Sequence, residues 1–244
     1  DFSFYKKSER EYTPNRPENI EAAELDFQDH QIAKLSASVE WRPGLTYTIR
    51  DGRKSPNFSR SPLVTFSYQK AIPHLISGEN ASDFDLLEMG LEHDWSFGVS
   101  GKLDVKFNAG TFLTNRKVYF PDFKHFGGNR TIFSNFGPAS NYRLMDYYKY
   151  STNSSFISGI AHYQFRKFLF TQLPMLRFSG LRENIFINYL KTENSPHYTE
   201  IGYSLDNLFR IFRVELGVAF ENGDFLRAGP LFGIATIFNI NFED

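Results

Sequence analysis

The sequence predicts an all-β fold, an antiparallel sheet of the kind that forms transmembrane outer-membrane β-barrels. Three observations predict this class. Apolar and polar residues alternate along many segments, several of these segments run for ten or more residues, and no segment shows a helical stripe of similar quality. Strands of soluble sheets usually have about five or six residues. A strand that spans a membrane needs about nine to eleven.

Segment 102–109 shows the alternation most clearly. Leu103, Val105 and Phe107 hold odd positions, and the even positions carry lysine, aspartate or asparagine. Successive side chains of a strand point to opposite faces, so one face of this strand is apolar and the other is charged. The same pattern predicts nine strands, at about 33–41, 62–69, 85–95, 99–112, 155–165, 182–191, 199–206, 211–220 and 231–242.

In a membrane barrel the charged face lines the lumen and the apolar face meets lipid. The alternating Phe238, Ile240 and Phe242 also resemble the C-terminal signal by which barrels are recognised for insertion. The alternative is a soluble β-sandwich, whose strands alternate too. The residues expected to face outer-membrane lipid are Leu103, Val105, Phe107, Val214, Leu216, Val218, Phe238 and Ile240.

Composition narrows the classes of function. The chain has 27 basic and 28 acidic residues and a net charge of −1, which does not favour a nucleic-acid partner. It has no cysteine, which excludes a disulfide scaffold, a thiolate metal site and a cysteine nucleophile. The 17% of aromatic residues agrees with tyrosine and tryptophan belts at two membrane interfaces. The six histidines lack the spacing of known metal motifs, and we expect no metal and no cofactor.

The lengths of the connections predict the topology. Bacterial barrels have short periplasmic turns and longer external loops, so the longest connection, 113–154, is expected outside. The first predicted strand then begins outside, and at least one further strand is expected upstream, with residues 1–14 as a candidate. An open sheet would leave an unpaired edge in lipid. We therefore expect residues 31–244 to form the C-terminal part of a larger barrel, with 1–30 as an upstream segment or external loop.

The connection 113–154 is unusual in length and in composition. Loops this long without regular structure are usually functional or disordered. Its many phenylalanines and tyrosines would be unfavourable in water, at about 25 cal/mol per Å² of exposed apolar surface. We expect the part around 127–133 to fold into the lumen or to cap its mouth. The alternative is that the aromatic side chains are buried against a partner protein.

Several segments share their order and spacing with a known family. They are Trp41-Arg42-Pro43-Gly44, 62–70, 128–131, 141–148, Leu173-Pro174-Met175-Leu176-Arg177, Leu181-Arg182-Glu183 and 202–207. Together they resemble a family of outer-membrane proteins known mainly as a domain of unknown function. In that family the barrel usually follows a carboxypeptidase-regulatory-like module. The resemblance covers about residues 31–244 and implies a location in the Gram-negative outer membrane.

That family is in turn distantly similar to the BamA/TamA superfamily of assembly and translocation barrels. These have sixteen strands, and a long loop with a Gly-Gly…Arg-Gly-aromatic signature folds into the lumen, where its arginine meets an aromatic-x-Asp-x-Gly motif on the wall. Here Thr131 replaces the glycine after the arginine, and Asn188 replaces the wall aspartate. The resemblance makes the nine strands the last nine of sixteen. The matching residues, candidates for the plug and lumen, are Gly127, Gly128, Arg130, Phe133, Phe186 and Asn188.

Four functions stay open on the sequence. The first two are a role in envelope biogenesis or translocation, and a scaffold that binds other outer-membrane or surface proteins. The third is a passive porin-like channel. The fourth is a barrel-embedded hydrolase built on His162 with Ser155 or Ser158. No nucleophile-elbow motif accompanies these serines, so we expect no enzyme and no catalytic residue.

For the plug candidates Gly127 and Gly128 the alternative is an ordinary loop turn, in which glycine is common.

Overall fold

The computed structural model describes residues 2–5, 30–50, 52–56, 61–73, 81–134, 141–174 and 179–235. Two short 3-10 turns lie at Phe120–Asp122 and Phe170–Gln172. Within the described ranges, no helix has the length and apolar character needed to span a bilayer. The strands are β1 (Phe2–Tyr5), β2 (His30–Trp41), β3 (Tyr47–Arg50), β4 (Arg53–Pro56), β5 (Leu63–Ala71), β6 (Asp83–Ser96), β7 (Gly101–Lys117), β8 (Phe156–Phe165), β9 (Arg182–Thr192), β10 (Tyr198–Leu208), β11 (Phe212–Glu221) and β12 (Asp224–Ile234).

One large antiparallel sheet dominates the structure. It has the order β1-β2-β5-β6-β7-β8-β9-β10-β11-β12, so each strand pairs with its neighbours along the chain. The hairpin β3–β4 forms a separate small sheet inside the connection between β2 and β5. The all-β, antiparallel prediction is therefore confirmed. Among the described residues β1 and β12 do not pair, and the sheet is open rather than closed into a barrel.

Eight of the nine predicted strands match observed strands, and the ninth, 231–242, needs a correction. The expected connection 221–230 is wrong, because β12 already begins at Asp224. Asn222 and Gly223 have φ angles of 51° and 93° and close a tight hairpin. Asn-Gly is the residue pair that such a two-residue turn favours, since both positions need positive φ. In addition, β7 extends to Lys117, so the long connection comprises 118–155.

The strand register assigns each side chain to one of two faces. We call the face on which the described residues of the connection 118–155 lie the inner face, and the opposite one the outer face. One outer row runs from Leu103 through Tyr163, Ile185 and Tyr203 to Leu216, because these residues are paired from β7 to β11. The predicted lipid-facing residues of these strands share this face. Those on β7 and β11 are Leu103, Val105, Phe107, Val214, Leu216 and Val218. Phe238, Ile240 and Phe242 lie outside the residues that the structure describes.

In a soluble protein the apolar face of a sheet is buried and the polar face is exposed, and here the two are reversed. On the outer face Leu216 is 58% exposed and Ile201 is 44% exposed. On the inner face of the same strands Glu200 is 0% and Glu215 is 2% exposed. Carboxylates are among the side chains least often buried in soluble proteins. This half of the sheet therefore buries its charged face and exposes its apolar face.

Candidate functional site

We call the connection 118–155 the inner loop, and its described parts, 118–134 and 141–155, lie across the inner face. Near one end Lys124 forms an ion pair with Glu88 of β6. Further along, the loop residue Asp146 accepts a hydrogen bond of 2.6 Å from Arg227 of β12. The loop therefore contacts strands that lie far apart in the sheet. We call residues 141–146 of this loop the docking segment, because they bind strand residues through hydrogen bonds, ring stacking and apolar packing.

Glu200 of β10 holds the backbone of the docking segment. Its carboxylate accepts hydrogen bonds from the backbone nitrogens of Arg143, at 2.8 Å, and Leu144, at 2.7 Å. The side chains of Asn188 and Tyr198 donate two more, at 2.9 Å and 2.6 Å. A buried carboxylate is unfavourable unless it is hydrogen-bonded, and four donors satisfy this one. Asn188, a predicted lumen residue, thus acts on the loop by orienting Glu200.

The Arg143 side chain lies between an aromatic ring and a second buried carboxylate. Its guanidinium carbon is 4.1 Å from the centre of the Phe186 ring. Its Nε is 3.6 Å from Oε2 of Glu215, and its Nη1 donates to the carbonyl oxygen of Asn141 at 2.9 Å. A planar guanidinium can stack on a ring and pair with a carboxylate at the same time, whereas a lysine ammonium is a compact charge that cannot stack.

A second arginine completes the charge pattern on the inner face. Arg213 donates two hydrogen bonds to the carboxylate of Asp206, at 2.7 and 2.8 Å. Its Nε also lies 3.9 Å from Glu215. Glu215 therefore lies between Arg143 and Arg213, and the buried charges compensate one another.

Three glycines make room for this arrangement. Gly202, Gly217 and Gly229 are paired in one inner row across β10, β11 and β12. A Cβ atom on Gly202 would lie 2.2 Å from the Phe186 ring, and one on Gly217 would lie 3.2 Å from Leu144. The missing side chains leave a shallow groove that receives the Phe186 ring and the Leu144 side chain.

Apolar packing fixes the rest of the docking segment. Tyr142, Leu144 and Met145 form a buried cluster with strand residues. The Tyr142 hydroxyl donates to the carbonyl oxygen of Tyr189 at 2.9 Å. Burial raises the pKa of Tyr142, so this hydroxyl stays protonated and remains a donor. The other members of the cluster are Tyr150, Leu190, Tyr198, Ala219 and Leu231.

The predicted glycine pair supports the docking segment from within the loop. A Cβ atom on Gly128 would lie 2.4 Å from the carbonyl oxygen of Met145, so only glycine permits this approach. Asn129 donates from its backbone to the same oxygen at 2.7 Å, and Gly127 accepts from the Tyr142 nitrogen at 3.0 Å. Gly128 therefore packs closely against Met145, in the half of the loop that returns to β8, and not against the strands.

The structure separates the other predicted loop residues from Asn188. Arg130 has a side chain 54% exposed, and its Nε lies 3.7 Å from Asp146 within the loop. Phe133 is exposed and forms a short parallel bridge with Phe232 of β12. The loop residues that meet Phe186 and Glu200 are instead Arg143 and Leu144. The sequence places Glu215 on the charged lumen face, but sequence reasoning did not single out Arg143, Glu200 or the glycine row, although glycine and glutamate at inner positions of paired strands were visible signals.

The two serines considered for hydrolase chemistry have other hydrogen-bond partners. The Ser155 hydroxyl lies 2.9 Å from that of Thr111, and the Ser158 hydroxyl donates to the carbonyl oxygen of Asn108 at 3.5 Å. His162 is buried on the inner face. Within the described part of the chain, no group of three or more His, Asp or Glu residues is placed to hold a metal ion.

Comparison with known proteins gives one family. A comparison with curated proteins gave no match. Residues 1–205 match the family of unknown function DUF5686, in its C-terminal domain. The match spans β1 to most of β10 and includes the whole inner loop with its docking segment. The chain therefore belongs to the DUF5686 C-terminal domain family.

Proposed function

We propose that this chain is part of an outer-membrane β-barrel whose inner loop plugs the lumen. Its role is in envelope biogenesis or translocation, or as a scaffold in an outer-membrane complex. The observation that carries the proposal is the inverted burial of the sheet. Charged residues such as Glu200 and Glu215 are buried beneath the loop, while Leu216 and Ile201 are exposed. Lipid is the surrounding that makes exposure of such an apolar face favourable.

The open edges of the sheet support a larger barrel. An unpaired strand edge in lipid leaves backbone groups without partners, each at a cost of several kcal/mol. We propose that further strands close the sheet between β12 and β1, as in a barrel of sixteen strands. The edge of β12 is already used in part by the inner loop, because the Ser134 nitrogen donates to the carbonyl oxygen of Phe232 and the Phe232 nitrogen donates to that of Ile132, both at 2.7 Å.

The Arg143 site supports a relationship to the BamA/TamA superfamily. In that superfamily a loop arginine meets an aromatic residue on the wall. Here Arg143 stacks on Phe186 and the neighbouring loop backbone binds Glu200. We propose that Arg143 takes this role, with Glu200 and Glu215 as the carboxylates that hold the loop. A held loop makes the resting barrel a plugged one, which favours translocation or scaffolding over a passive pore.

Cysteine labelling tests the membrane topology. This chain has no cysteine, so once any cysteine outside it is replaced, a single introduced cysteine reports without background. We expect Ile201→Cys to resist a water-soluble maleimide in intact outer membranes and to react after denaturation. Asn194→Cys, in the exposed connection after β9, is the control and should react in intact cells. Rapid labelling of Ile201→Cys in membranes would refute lipid burial of the outer face.

Planar-bilayer conductance tests the plug. The full-length wild-type protein should show no large steady pore, because Arg143 and Glu200 hold the inner loop against the inner face. A large, steady conductance of the wild type would favour the porin-like channel. The mixed charges of the less covered strands, such as Glu92 and Lys106 on β6 and β7, would then give weak ion selectivity.

A further inference from the structure

The connection between β8 and β9 folds back over the outer face. We call its residues 166–174 the outer flap. Phe168 of the flap stacks on Phe165 at 4.3 Å and lies 6.4 Å from Tyr203. Both of these strand residues belong to the outer face. The flap therefore lies on the same apolar surface that the proposed function assigns to lipid, at the end of the sheet opposite the inner loop.

A single buried carboxylate fixes the flap. Glu183 of β9 points to the outer face, opposite Leu205, yet it is fully buried. It accepts backbone hydrogen bonds of 3.0 Å from Leu169, Phe170 and Thr171. The hydroxyls of Thr171 and Tyr203 donate as well. An acidic side chain on an apolar face is unfavourable, and here five donors satisfy it.

With its backbone turned toward Glu183, the flap directs apolar side chains away from the protein. Leu169 is 59%, Phe170 is 42% and Leu173 is 50% exposed. Single exposed apolar residues are ordinary, but three within five positions on a fixed turn form a patch. The neighbouring turn adds Phe209, which is 90% exposed. Asn207 joins the two turns by donating to the carbonyl oxygen of Gly180 at 3.2 Å.

The outer flap and the residues that lead from it into β9 are strongly basic. Residues 166–182 contain four basic residues and no acidic one, whereas the whole chain has a net charge of −1. Arg166 and Lys167 are exposed at the start of the flap, and Arg210 follows Phe209 in the chain. Exposed apolar side chains flanked by lysine and arginine are the pattern of segments that lie in a membrane interface. The positive charges complement lipid phosphates.

We propose that the outer flap lies in the headgroup layer of the membrane and binds anionic phospholipids. Leu169, Phe170 and Leu173 insert at the boundary with the acyl chains, and Arg166 and Lys167 contact the phosphates. Glu183 is the positioning residue that holds the flap in this orientation. The inference rests on the proposed function, because it requires the outer face to meet lipid. To that function it adds the class of lipid that the protein binds and the segment that contacts it.

Tryptophan fluorescence tests the depth of the flap. The full-length protein, with Trp41 and Trp95 both replaced by Phe, carries Leu169→Trp and is reconstituted into equimolar phosphatidylcholine and phosphatidylglycerol. We expect lipids brominated near the headgroup to quench this tryptophan. Leu173→Trp is a second reporter from the same flap. Ile201→Trp, in the middle of the outer face, is the matched control for the strands and should be quenched by lipids brominated deep in the acyl chain.

The control separates the two proposals. If Ile201→Trp is quenched but both flap reporters are not, the flap meets water or another protein and the inference is overturned, while the membrane topology stands. If none of the three is quenched, the membrane topology itself is overturned.

A second arm tests the lipid class. A basic residue near an anionic surface changes binding roughly fivefold. Brominated phosphatidylglycerol should therefore quench Leu169→Trp more than brominated phosphatidylcholine at the same mole fraction. In the Arg166→Gln/Lys167→Gln variant this difference should shrink or vanish. Equal quenching by both lipids in the parent would refute the anionic preference.

Discussion

The guanidinium group of Arg143 lies on the ring of Phe186, with its central carbon 4.1 Å from the ring centre. Such a contact contributes about 2 kcal/mol or more when it is removed from water. It joins the middle of the inner loop to β9, and both side chains are at least 95% buried. The contact exists because Gly202, beside Phe186, has no side chain to displace the ring.

Arg143→Ala should release the inner loop. The change leaves Glu215 without one of its two cations, and removal of one partner of a buried ion pair costs about 3–5 kcal/mol. We expect planar-bilayer recordings to change from silence to a steady conductance. Arg130→Ala is the control, since Arg130 is largely exposed and should keep the wild-type behaviour. Persistent silence of Arg143→Ala would show that this contact does not close the lumen.

Glu200→Gln should loosen the docking segment without opening the sheet. Arg143 and Leu144 donate to different oxygens of Glu200, and in glutamine one of these becomes an NH2 group that cannot accept, so one backbone N–H loses its acceptor and the other loses a charged one. A hydrogen bond to a charged group is worth about 1.5–3 kcal/mol. We expect hydrogen exchange of these two amides to accelerate. Glu92→Gln, a half-exposed inner carboxylate, is the matched control. Unchanged exchange in Glu200→Gln would contradict the role of this carboxylate.

Gly202→Ala should destabilise the folded protein through overpacking. The new methyl group would meet the Phe186 ring at 2.2 Å and the carbonyl oxygen of Leu216 at 2.6 Å. Overpacking of this kind typically costs about 1–3 kcal/mol. The temperature at which the folded band disappears in semi-native electrophoresis should fall. Gly159→Ala serves as control, because nothing lies within 4 Å of its new Cβ, and its transition should stay at the wild-type temperature.

The inner loop should loosen in acid through His125. Burial lowers the pKa of His125, which lies against Phe120 and Tyr148 and 2.7 Å from the Ser151 hydroxyl. A histidine with a lowered pKa binds fewer protons folded than unfolded. Its contribution is therefore complete above its ordinary pKa of 6.5 and declines as the pH falls below it.

Limited proteolysis of the loop across this pH range measures the effect. Cleavage should accelerate in acid for the wild type and much less for His125→Gln. His197→Gln changes an exposed histidine outside the loop and should keep the wild-type profile. Identical profiles for wild type and His125→Gln would assign the acid sensitivity to other groups.

Phe242→Asp should lower the amount of protein in the outer membrane. The expectation rests on the alternation of Phe238, Ile240 and Phe242, all beyond the last described residue. Immunoblotting of outer-membrane fractions measures it, and Asp244→Asn controls for a change at the same end of the chain. Wild-type levels of Phe242→Asp would refute the insertion signal and leave the strand assignment intact.

Local periodicity determined most of the fold. Alternation with period two places Leu103 and Val105 on one face whatever else the chain does, because successive side chains of a strand point to opposite sides. Eight of the nine predicted strands therefore coincide with observed ones within a few residues. Asn222-Gly223 is a strong hairpin signal in the sequence, so the early start of β12 could also be predicted from local residues.

Only the tertiary structure decided which loop residues meet the strands. Arg130 and Arg143 are both arginines near the middle of one long loop, and nothing local separates them. The choice depends on Glu200, Glu215 and Phe186, which lie on three different strands and form a site only when the register aligns them. Charge pairing and shape matching between residues distant in sequence carry no periodic signal, so the sequence alone determined the faces of the sheet, and folding decided that Arg143 binds there.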